Sequence, residues 1–572
     1  HAAGVVMSDN DLTDQIPLKY GEDMYITQYD AHGVESNGLL KMDFLGLRNL
    51  TFVQRMKEAV QKKYEIDIQI ESIDLEDKKT LQLFAAGDTK GIFQFEQPGA
   101  ISLLKRVQPV CFEEVVATTS LNRPGASDYI DNFVKRKHGR EAVVSIDESL
   151  DDILSPTYGI MLYQEQVMQI SMKMSGFTAG ESDKVRKAVA KKKIKLMQEV
   201  IQHWDDGADE TMEQHWKEGA VRNGFKRETA EIIWEDVLKF ASYAFNKSHS
   251  AGYAILVMQT AWLKAHYPHE YMAAVLTSFM GKTDKIVHYV SACRQEGIKV
   301  SQPDINESGR DFTATKEGIR FGFAGIRGVG AGVAEAIMAE RQKGGPFNNL
   351  RDFIDRMDAS QAKRNVVEAL IKAGAFDSTG YTRMQLMKLI DKNNPENLLD
   401  SAAKRQRDKA SGQISMFDLF SEVEGSGFTE DFPDPDGVEW ERRFKLSQEY
   451  DVLGIYVSDH PLTPYAYALS LARDYELVDI DATEEYRAPD GGIKERFKVP
   501  EGENIRLSGM VTNIQKRITK NGDPMAIVTL EDMEGELSLV LFPKAYKKYA
   551  STLAGSVDPE TGETQGDVIV GV

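Results

Sequence analysis

The middle of this chain contains the sequence AGIRGVGAGVA, residues 324–334, which predicts its local fold. Its centre has the pattern apolar-x-Gly-apolar-Gly, and an alanine follows four residues later. This pattern predicts a helix-hairpin-helix. Glycines let a backbone approach a phosphate closely, and the N–H groups at the start of the second helix point toward it. We therefore interpret Gly328, Gly330 and Gly332 as contacts to a nucleic-acid backbone. A plain tight turn between helices is the alternative.

The pattern on the N-terminal side of this hairpin is mostly helical. From about residue 51 to about residue 301, apolar residues recur at spacings of three and four, as in Val167, Ile170 and Met174, which is typical of helices. Residues 1–47 hold short apolar runs and turns, which indicate strands. The sequence therefore predicts a multidomain, mainly α protein.

The C-terminal side of the hairpin is more varied. Residues 386–440 are polar, and between Ser421 and Gly437 they become acidic and rich in Pro and Gly, which predicts a linker or mobile segment. From about Ile505, alternating apolar runs are separated by turns. This pattern predicts the strands of a small C-terminal β-barrel.

Length and composition set limits on the whole chain. Its 572 residues predict about three to five domains. Two cysteines cannot build a disulfide framework or a cysteine zinc site, which fits a reducing cytoplasm. A run of about 18 apolar residues is missing, so we expect no membrane partner and a cytoplasmic location.

Basic residues form islands in a chain of net charge −20. One island runs from Lys184 to Lys195 and has seven basic residues, among them Lys191, Lys192 and Lys193. Local Lys and Arg density matters more for phosphate binding than net charge does. We interpret these three lysines as DNA contacts, and a solvated helix face is the alternative.

Several sequence blocks are informative when they are taken together. They are HAAGVV (1–6), KMDFLGLR (41–48), GIFQFE (91–96), NRPG (122–125), PTYGIMLYQEQ (156–166) and FNKSHSA (245–251). These blocks resemble the family C replicative DNA polymerases of bacteria. They occur in that family's order and at similar spacing, and the resemblance extends over nearly the whole chain.

The resemblance implies a domain order. The expected domains are the end of a palm (1–47), the fingers (48–301), the helix-hairpin-helix part of a clamp-binding domain (302–385), a clamp-binding peptide with its linker (386–475) and an OB-fold (476–572).

Asp43 lies between the apolar residues Met42 and Phe44. A carboxylate is costly to bury there unless it is paired or binds a metal, and a helix cap or a solvated turn is the alternative. The resemblance implies that Asp43 is the third metal-binding carboxylate of a site for two Mg²⁺ ions, which act on the primer hydroxyl and the leaving pyrophosphate. The other two carboxylates come from an Asp-x-Asp pair, which we expect upstream of His1 together with a histidinol-phosphatase-like domain.

Five basic residues are candidates for binding the incoming nucleotide. Arg186 and Lys187 are adjacent on a predicted helix, and the family places a basic pair there, although one of this pair is Lys where the family has Arg. Arg123 is a phosphate or template candidate, with a capping or ion-pair role as the alternative. Lys247 and His249 form the third group. The resemblance implies that His249 lies near the pyrophosphate, and a structural hydrogen bond is the alternative for it.

A short apolar motif, QISMFDLF at residues 413–420, lies in the polar segment. Exposed apolar side chains in such a segment usually mark a partner site. Gln413, Met416, Phe417 and Leu419 resemble the peptide that docks into the bacterial sliding clamp, the beta subunit. A short amphipathic helix that returns to the core is the alternative.

The resemblance implies a DNA-directed DNA polymerase that acts on primer-template DNA and deoxynucleoside triphosphates. We expect the covered chain alone to be inactive, because it holds one of three catalytic carboxylates. A clamp-loader tau subunit and a proofreading exonuclease are expected to bind regions outside it. The alternatives are a non-catalytic fragment that binds DNA and the clamp, and an error-prone paralogue of the same family.

Overall fold

A computed structural model of the chain gives its fold. It describes residues 4–21, 24–44, 46, 48–123, 127–144, 146–190, 200–201, 204, 210–240, 245–395, 397–410, 432–480, 483–487, 493–553, 556–557, 564–565 and 568–570. The chain divides into two compact units, residues 1–58 and 59–572.

The helices of the described residues are labelled α1 to α22 in chain order. Up to residue 295 they are α1 (Ala31–Ser36), α2 (Arg48–Tyr64), α3 (Lys78–Ala86), α4 (Pro98–Val107), α5 (Phe112–Leu121), α6 (Ile130–Lys137), α7 (Asp151–Leu154), α8 (Gln164–Ser175), α9 (Ala179–Ala190), α10 (Met212–Arg222), α11 (Arg227–Phe240), α12 (Lys247–His266), α13 (Pro268–Ser278) and α14 (Thr283–Gln295). Beyond it they are α15 (Ala331–Gly344), α16 (Leu350–Arg356), α17 (Arg364–Lys372), α18 (Arg383–Leu389), α19 (Leu398–Ala410), α20 (Arg442–Leu453), α21 (Ala466–Ala472) and α22 (Pro543–Leu553).

The strands are short except near the C-terminus. They are β1 (Gly4–Met7), β2 (Leu18–Tyr20), β3 (Tyr25–Thr27), β4 (Leu40–Asp43), β5 (Val200–Ile201), β6 (Glu210–Thr211), β7 (Val300–Ser301), β8 (Thr313–Ala314), β9 (Ile319–Arg320), β10 (Thr483–Arg487), β11 (Ile493–Phe497), β12 (Ser508–Ile518), β13 (Pro524–Glu531), β14 (Glu536–Leu541), β15 (Ser556–Val557), β16 (Thr564–Gln565) and β17 (Val568–Val570).

The first unit contains two antiparallel strand pairs. Strand β1 pairs with β4, with Gly4 opposite Asp43, and β2 pairs with β3. Ile16, Val34 and Leu39 form a small buried core. The strands and turns that the sequence predicts for residues 1–47 are therefore present, and Asp43 ends a paired strand.

Two hydrophobic cores organise the helices of the second unit up to residue 266. One core contains residues of α3, α4, α5, α6 and α12, and the other contains residues of α8, α9, α10 and α11. Helix α12 packs against α3 and α5. Its side chains Ala254, Val257, Met258 and Ala261 are buried at helical spacing, which is why this stretch stays helical for 20 residues.

The predicted helix-hairpin-helix has a very short first element. A single 3₁₀ turn, Phe323–Gly325, precedes the glycine-rich turn, and α15 follows it. A small sheet lies before it in sequence, in which β9 pairs parallel to β7 and antiparallel to β8. The glycine-rich turn therefore connects a 3₁₀ turn to a helix, rather than two full helices.

Part of the polar segment predicted as a linker forms a helix. Helix α19 packs against α16, and its Ala402 is buried. The sequence did not predict this helix, because most of its residues are Lys, Arg, Asp and Gln and its apolar face is narrow.

The C-terminal strands form an antiparallel sheet in the order β14-β13-β12-β17. The register of β12 against β13 shifts between Val511 and Asn513, which bends the strand. Leu477, Leu507 and Leu530 form its buried core. Among the described residues no pairing joins β14 to β17, so they show an open sheet rather than the closed barrel that the sequence predicts.

No helix within the described ranges has the length and apolar character needed to cross a membrane.

Candidate nucleotide and nucleic-acid site

The beginnings of helices α8 and α12 are held together by backbone contacts. Tyr163 and Phe245 form a parallel β-bridge, and the Gln164 amide donates to the Phe245 carbonyl at 2.8 Å. The Lys247 amide donates to Glu165 Oε2 at 2.8 Å. This junction fixes where the side chains of the FNKSHSA block lie.

Arg123 and His249 both lie against Phe245. The Arg123 guanidinium is 4.0 Å from the centre of the Phe245 ring, within the range of a cation–π contact. The His249 ring is 5.5 Å from the same ring, and its amide donates to the Asn246 side chain at 2.8 Å, which caps α12. Arg123 and His249 are exposed, so both side chains are accessible to an anionic ligand.

Lys247 completes this group. Its Nζ lies 3.0 Å from Glu113 Oε2 and 5.6 Å from the centre of the Tyr163 ring. Burial raises the pKa of the Tyr163 phenol, so this ring stays neutral at physiological pH. Arg123 and His249 therefore both lie against Phe245, and Lys247 lies beside Glu113 and Tyr163. That these three residues form one site stays a prediction.

Arg186 and Lys187 lie on α9, where both pair with Asp183 at 2.8 Å. Hydrogen bonds from Lys187 and Arg186 lower the pKa of the Asp183 carboxyl. Lys187 is 62% exposed, so its ammonium can reach a ligand in solvent.

The loop between α8 and α9, residues 176–178, is short, and the two helices pack against each other. A loop of this length is typical of antiparallel helix pairs, so we expect the end of α9, which carries Arg186 and Lys187, on the side where α8 begins.

Asp43 lies at the end of β4 in the first unit. Its side chain is 40% exposed, and both carboxylate oxygens are 2.8 Å from Lys41 Nζ. Accessible carboxylate oxygens suit Mg²⁺. Within the described residues, however, no group of three His, Cys, Asp or Glu side chains is arranged to hold a metal ion. Asp43 can supply one ligand and does not form a metal site alone.

The glycine-rich turn before α15 is exposed at Gly328, Gly330 and Gly332. Gly328 has a φ of +89°, which L side chains rarely adopt, and this explains the glycine there. A Cβ atom at Gly330 or Gly332 would meet nothing within 4 Å. The turn therefore presents an open backbone surface at the start of a 14-residue helix.

Arg327 fixes the position of this turn through three hydrogen bonds. Its amide donates to the Val452 carbonyl at 2.8 Å, and its guanidinium donates to the Asp451 carbonyl at 3.1 Å and to Thr283 Oγ1 at 3.4 Å. The glycine-rich turn is thus attached to the end of α20 and the start of α14.

Two predicted groups lie outside the described residues. They are the DNA-contact candidates Lys191, Lys192 and Lys193, and the clamp-peptide residues Gln413, Met416, Phe417 and Leu419.

Sequence reasoning missed the acidic partners of the site. Glu165 lies inside the PTYGIMLYQEQ block (156–166), so the sequence could have identified it as a candidate. Glu113 gave no such signal, because it is 134 residues from Lys247 and only the fold brings them together.

Comparison with known families gives matches in four stretches of the chain. Residues 1–46 match the bacterial DNA polymerase III alpha NTPase domain, and residues 49–212 match the bacterial DNA polymerase III alpha subunit finger domain. Residues 297–386 match the helix-hairpin-helix motif, and residues 505–555 match the OB-fold nucleic acid binding domain.

Curated relatives match the chain over nearly all of its length. DNA polymerase III subunit alpha of Saccharopolyspora erythraea is 38% identical over 588 residues, which cover 100% of this chain and 46% of the relative. The proteins of the same name from Mycobacterium tuberculosis and Escherichia coli are each 38% identical over 97% of this chain, and 45% and 46% of their lengths are covered.

The chain spans about half the length of the curated relatives that it matches. Two of the four family matches name the same subunit, and they include the regions of Asp43, Arg123 and Arg186. The chain belongs to the family of the bacterial DNA polymerase III alpha subunit.

Proposed function

We propose that this chain supplies the nucleotide-gripping, DNA-guiding and clamp-tethering part of a replicative DNA-directed DNA polymerase. Its family supports this proposal, and so does one observation above all. Arg123 and His249, which lie 126 residues apart in the sequence, are both exposed and both contact Phe245, and Lys247 lies two residues before His249. That convergence is what a binding site for a polyanion requires.

In this proposal the incoming deoxynucleoside triphosphate binds between the Phe245 junction and the end of α9. Arg123 and Lys247 contact its phosphates from one side, and Arg186 and Lys187 contact them from the other. His249 donates a hydrogen bond near the leaving pyrophosphate. Lys247, which pairs with Glu113, and Arg186 and Lys187, which pair with Asp183, would exchange these carboxylates for phosphate oxygens.

Primer-template DNA is the second proposed ligand. The open backbone at Gly328, Gly330 and Gly332 suits a sequence-independent phosphate contact at a helix start. The sheet formed by β12, β13 and β14 would continue into a closed OB-fold barrel and bind the single-stranded template. Lys191, Lys192 and Lys193 would add backbone contacts.

We propose Mg²⁺ as the cofactor, with Asp43 as one of its ligands. Two ions in such a site activate the primer hydroxyl and stabilise the charge on the leaving pyrophosphate. Asp43 contributes accessible carboxylate oxygens, and Lys41, 2.8 Å from both of them, would orient that carboxylate until a metal replaces it.

The domain boundaries of the proposal are the end of the palm (1–47), the fingers (48–301), the helix-hairpin-helix region (302–385), the clamp peptide with its linker (386–475) and the OB-fold (476–572). Gln413, Met416, Phe417 and Leu419 would bind the sliding clamp. The tau subunit of the clamp loader and a proofreading exonuclease are proposed partners of the larger protein.

Primer extension by the full-length protein tests the nucleotide site. Lys187→Gln removes one charged phosphate contact, so we expect KM for nucleotides to rise roughly tenfold or more. Lys239→Gln is the matched control, because Lys239 is also 62% exposed and pairs with an Asp on its own helix. The proposal for Lys187 fails if both variants change KM equally.

A non-catalytic DNA- and clamp-binding role is the second candidate. One observation favours it: the described residues contain no group of three His, Cys, Asp or Glu side chains that could hold a metal ion. Asp43→Ala in the full-length protein separates the two candidates. Loss of primer extension with duplex binding unchanged supports the polymerase, whereas full extension by the variant would exclude Asp43 as a metal ligand.

A further inference from the structure

A buried histidine lies beside the helix that carries Arg186 and Lys187. His215 is in the first turn of α10, where the capping box formed by Thr211 and Gln214 fixes its position. Only 4% of its surface is exposed. The Trp204 ring stacks on the imidazole at 4.2 Å with an interplanar angle of 11°, and the Phe177 ring is 5.1 Å away.

Each ring nitrogen of His215 faces its own carboxylate. Nε2 lies 3.6 Å from Glu181 Oε1, and Nδ1 lies 3.5 Å from Glu210 Oε2. Nδ1 and Glu210 Oε2 are buried, and neither has a hydrogen-bond partner. Because a neutral imidazole has one N–H and one lone pair, it would turn a lone pair toward one of these carboxylates. Only the imidazolium can donate to both.

The aromatic neighbours suit the same charged state. A cation on the face of an indole ring is stabilised by the ring quadrupole. Lys184 of α9 lies 5.0 Å from the centre of the Trp204 ring, so this indole contacts a second cation. Two carboxylates thus face the ring nitrogens of His215, and one ammonium contacts the indole that stacks on its ring.

Other charged groups near α10 are engaged elsewhere. Lys217 of α10 pairs with Glu213 at 2.7 Å and with Glu231 of α11 at 3.8 Å. Lys173 of α8 pairs with Asp152 at 2.8 Å. Among the described residues, Glu181, Lys184 and Glu210 are therefore the charged groups that face His215 from the neighbouring elements.

Glu181 connects this histidine to the position of α9. Its Oε1 faces His215, while its Oε2 accepts from the Thr178 amide at 2.8 Å at the start of α9. Glu210 belongs to β6, next to the start of α10. A protonated His215 therefore ties the start of α9 to α10 and β6.

We propose that His215 is a protonation-dependent latch that holds α9 against α10 and so acts as a positioning residue for Arg186 and Lys187. Protonation closes both carboxylate contacts. Loss of the proton opens one of them and loosens the start of α9. The latch stands on the geometry alone, whereas its effect on nucleotide binding rests on the proposed function.

Tryptophan fluorescence tests the latch directly, because an imidazolium in contact with an indole quenches its emission more strongly than a neutral imidazole. Trp262 lies 4.5 Å from His266, so Trp262→Phe is introduced first to remove this second pair. The pH is then varied from about 5 to about 9. We expect a transition that His215→Gln abolishes.

Glu210→Gln is the second variant, and it keeps His215 in place. Removal of one carboxylate disfavours the imidazolium, so the fluorescence transition should move to lower pH. The latch is refuted if the transition does not depend on His215 or if Glu210→Gln leaves its midpoint unchanged. Because Glu210 is 33% exposed, this variant remains informative even if His215→Gln fails to fold.

Steady-state kinetics of the full-length protein test the positioning role. KM for nucleotides should rise roughly fivefold as pH increases through the midpoint of the fluorescence transition, while kcat should change less over the same pH range. A fluorescence transition without this change in KM would refute the positioning role. If the protein extends no primer at all, the proposed function fails, and the fluorescence result still decides whether the latch exists.

Discussion

Loss of the Arg383 side chain should destabilise the region around the glycine-rich turn. Arg383 is 1% exposed, and its guanidinium donates to Glu449 at 3.0 Å, to Asp377 at 2.9 Å and to the Lys372 carbonyl at 2.8 Å. Glu449 lies on α20, the helix whose end holds Arg327. This ion pair therefore attaches α20 to the start of α18.

The magnitude follows from burial. Glu449 is 0% exposed, and beyond Arg383 it accepts from the amides of Val457 and Ser458 at 2.8 Å. Arg383→Met leaves this carboxylate buried without its countercharge, which costs about 3–5 kcal/mol. The double variant Arg383→Met/Glu449→Met removes both charges, so it should be less destabilised than the sum of the two single variants.

Arg442→Met is the matched control. Arg442 lies on α20, as Glu449 does, and pairs with Asp459, but both side chains of this pair are 40% exposed. A surface pair contributes about 0–1 kcal/mol. Hydrogen exchange in peptides from residues 297–458 measures the local free energy of unfolding without assuming that the whole chain unfolds in one step. The reasoning is refuted if Arg383→Met and Arg442→Met differ by less than about 1 kcal/mol.

Three further predictions concern single side chains. Burial raises the pKa of the Glu296 carboxyl from 4.5 to about 7, so the free energy of unfolding should fall as pH rises through that window, and Glu296→Gln should remove this slope in urea titrations at several pH values. Gly328→Ala should cost about 1 kcal/mol of stability in thermal unfolding, because of its positive φ, and should weaken duplex binding in salt titrations, whereas Gly332→Ala should cost no stability. Phe245→Ala removes the ring under Arg123 and should raise KM for nucleotides roughly threefold, with a change below that of Arg123→Ala.

Local patterns in the sequence were enough to predict most of the helices. Apolar spacing of three and four marks α8 and α12, because one face of each helix is buried. The strands β12, β13 and β14 were predicted from alternation for the related reason that one side of the sheet packs on a core. Helix α19 was missed, because few apolar residues are enough to hold it against α16.

The site was only partly predictable, because its groups meet through tertiary contacts. Arg123, Lys247 and His249 were identified from blocks that resemble a family, but local spacing does not say that Phe245 would join two of them. Glu113 and His215 carry no local signal, since their partners lie in other helices. The roles of all five residues in binding remain predictions.

The attachment of the glycine-rich turn has a mechanical consequence. Arg327 links the turn to Asp451, which is 124 residues away in sequence, and to Thr283, which is 44 residues away. A force on a duplex bound to this turn would pass directly into α14 and α20, and would not be absorbed by bending of the loop. If the turn binds duplex DNA as proposed, it would act as a stiff surface along which the duplex slides, and the helices behind it would carry the load.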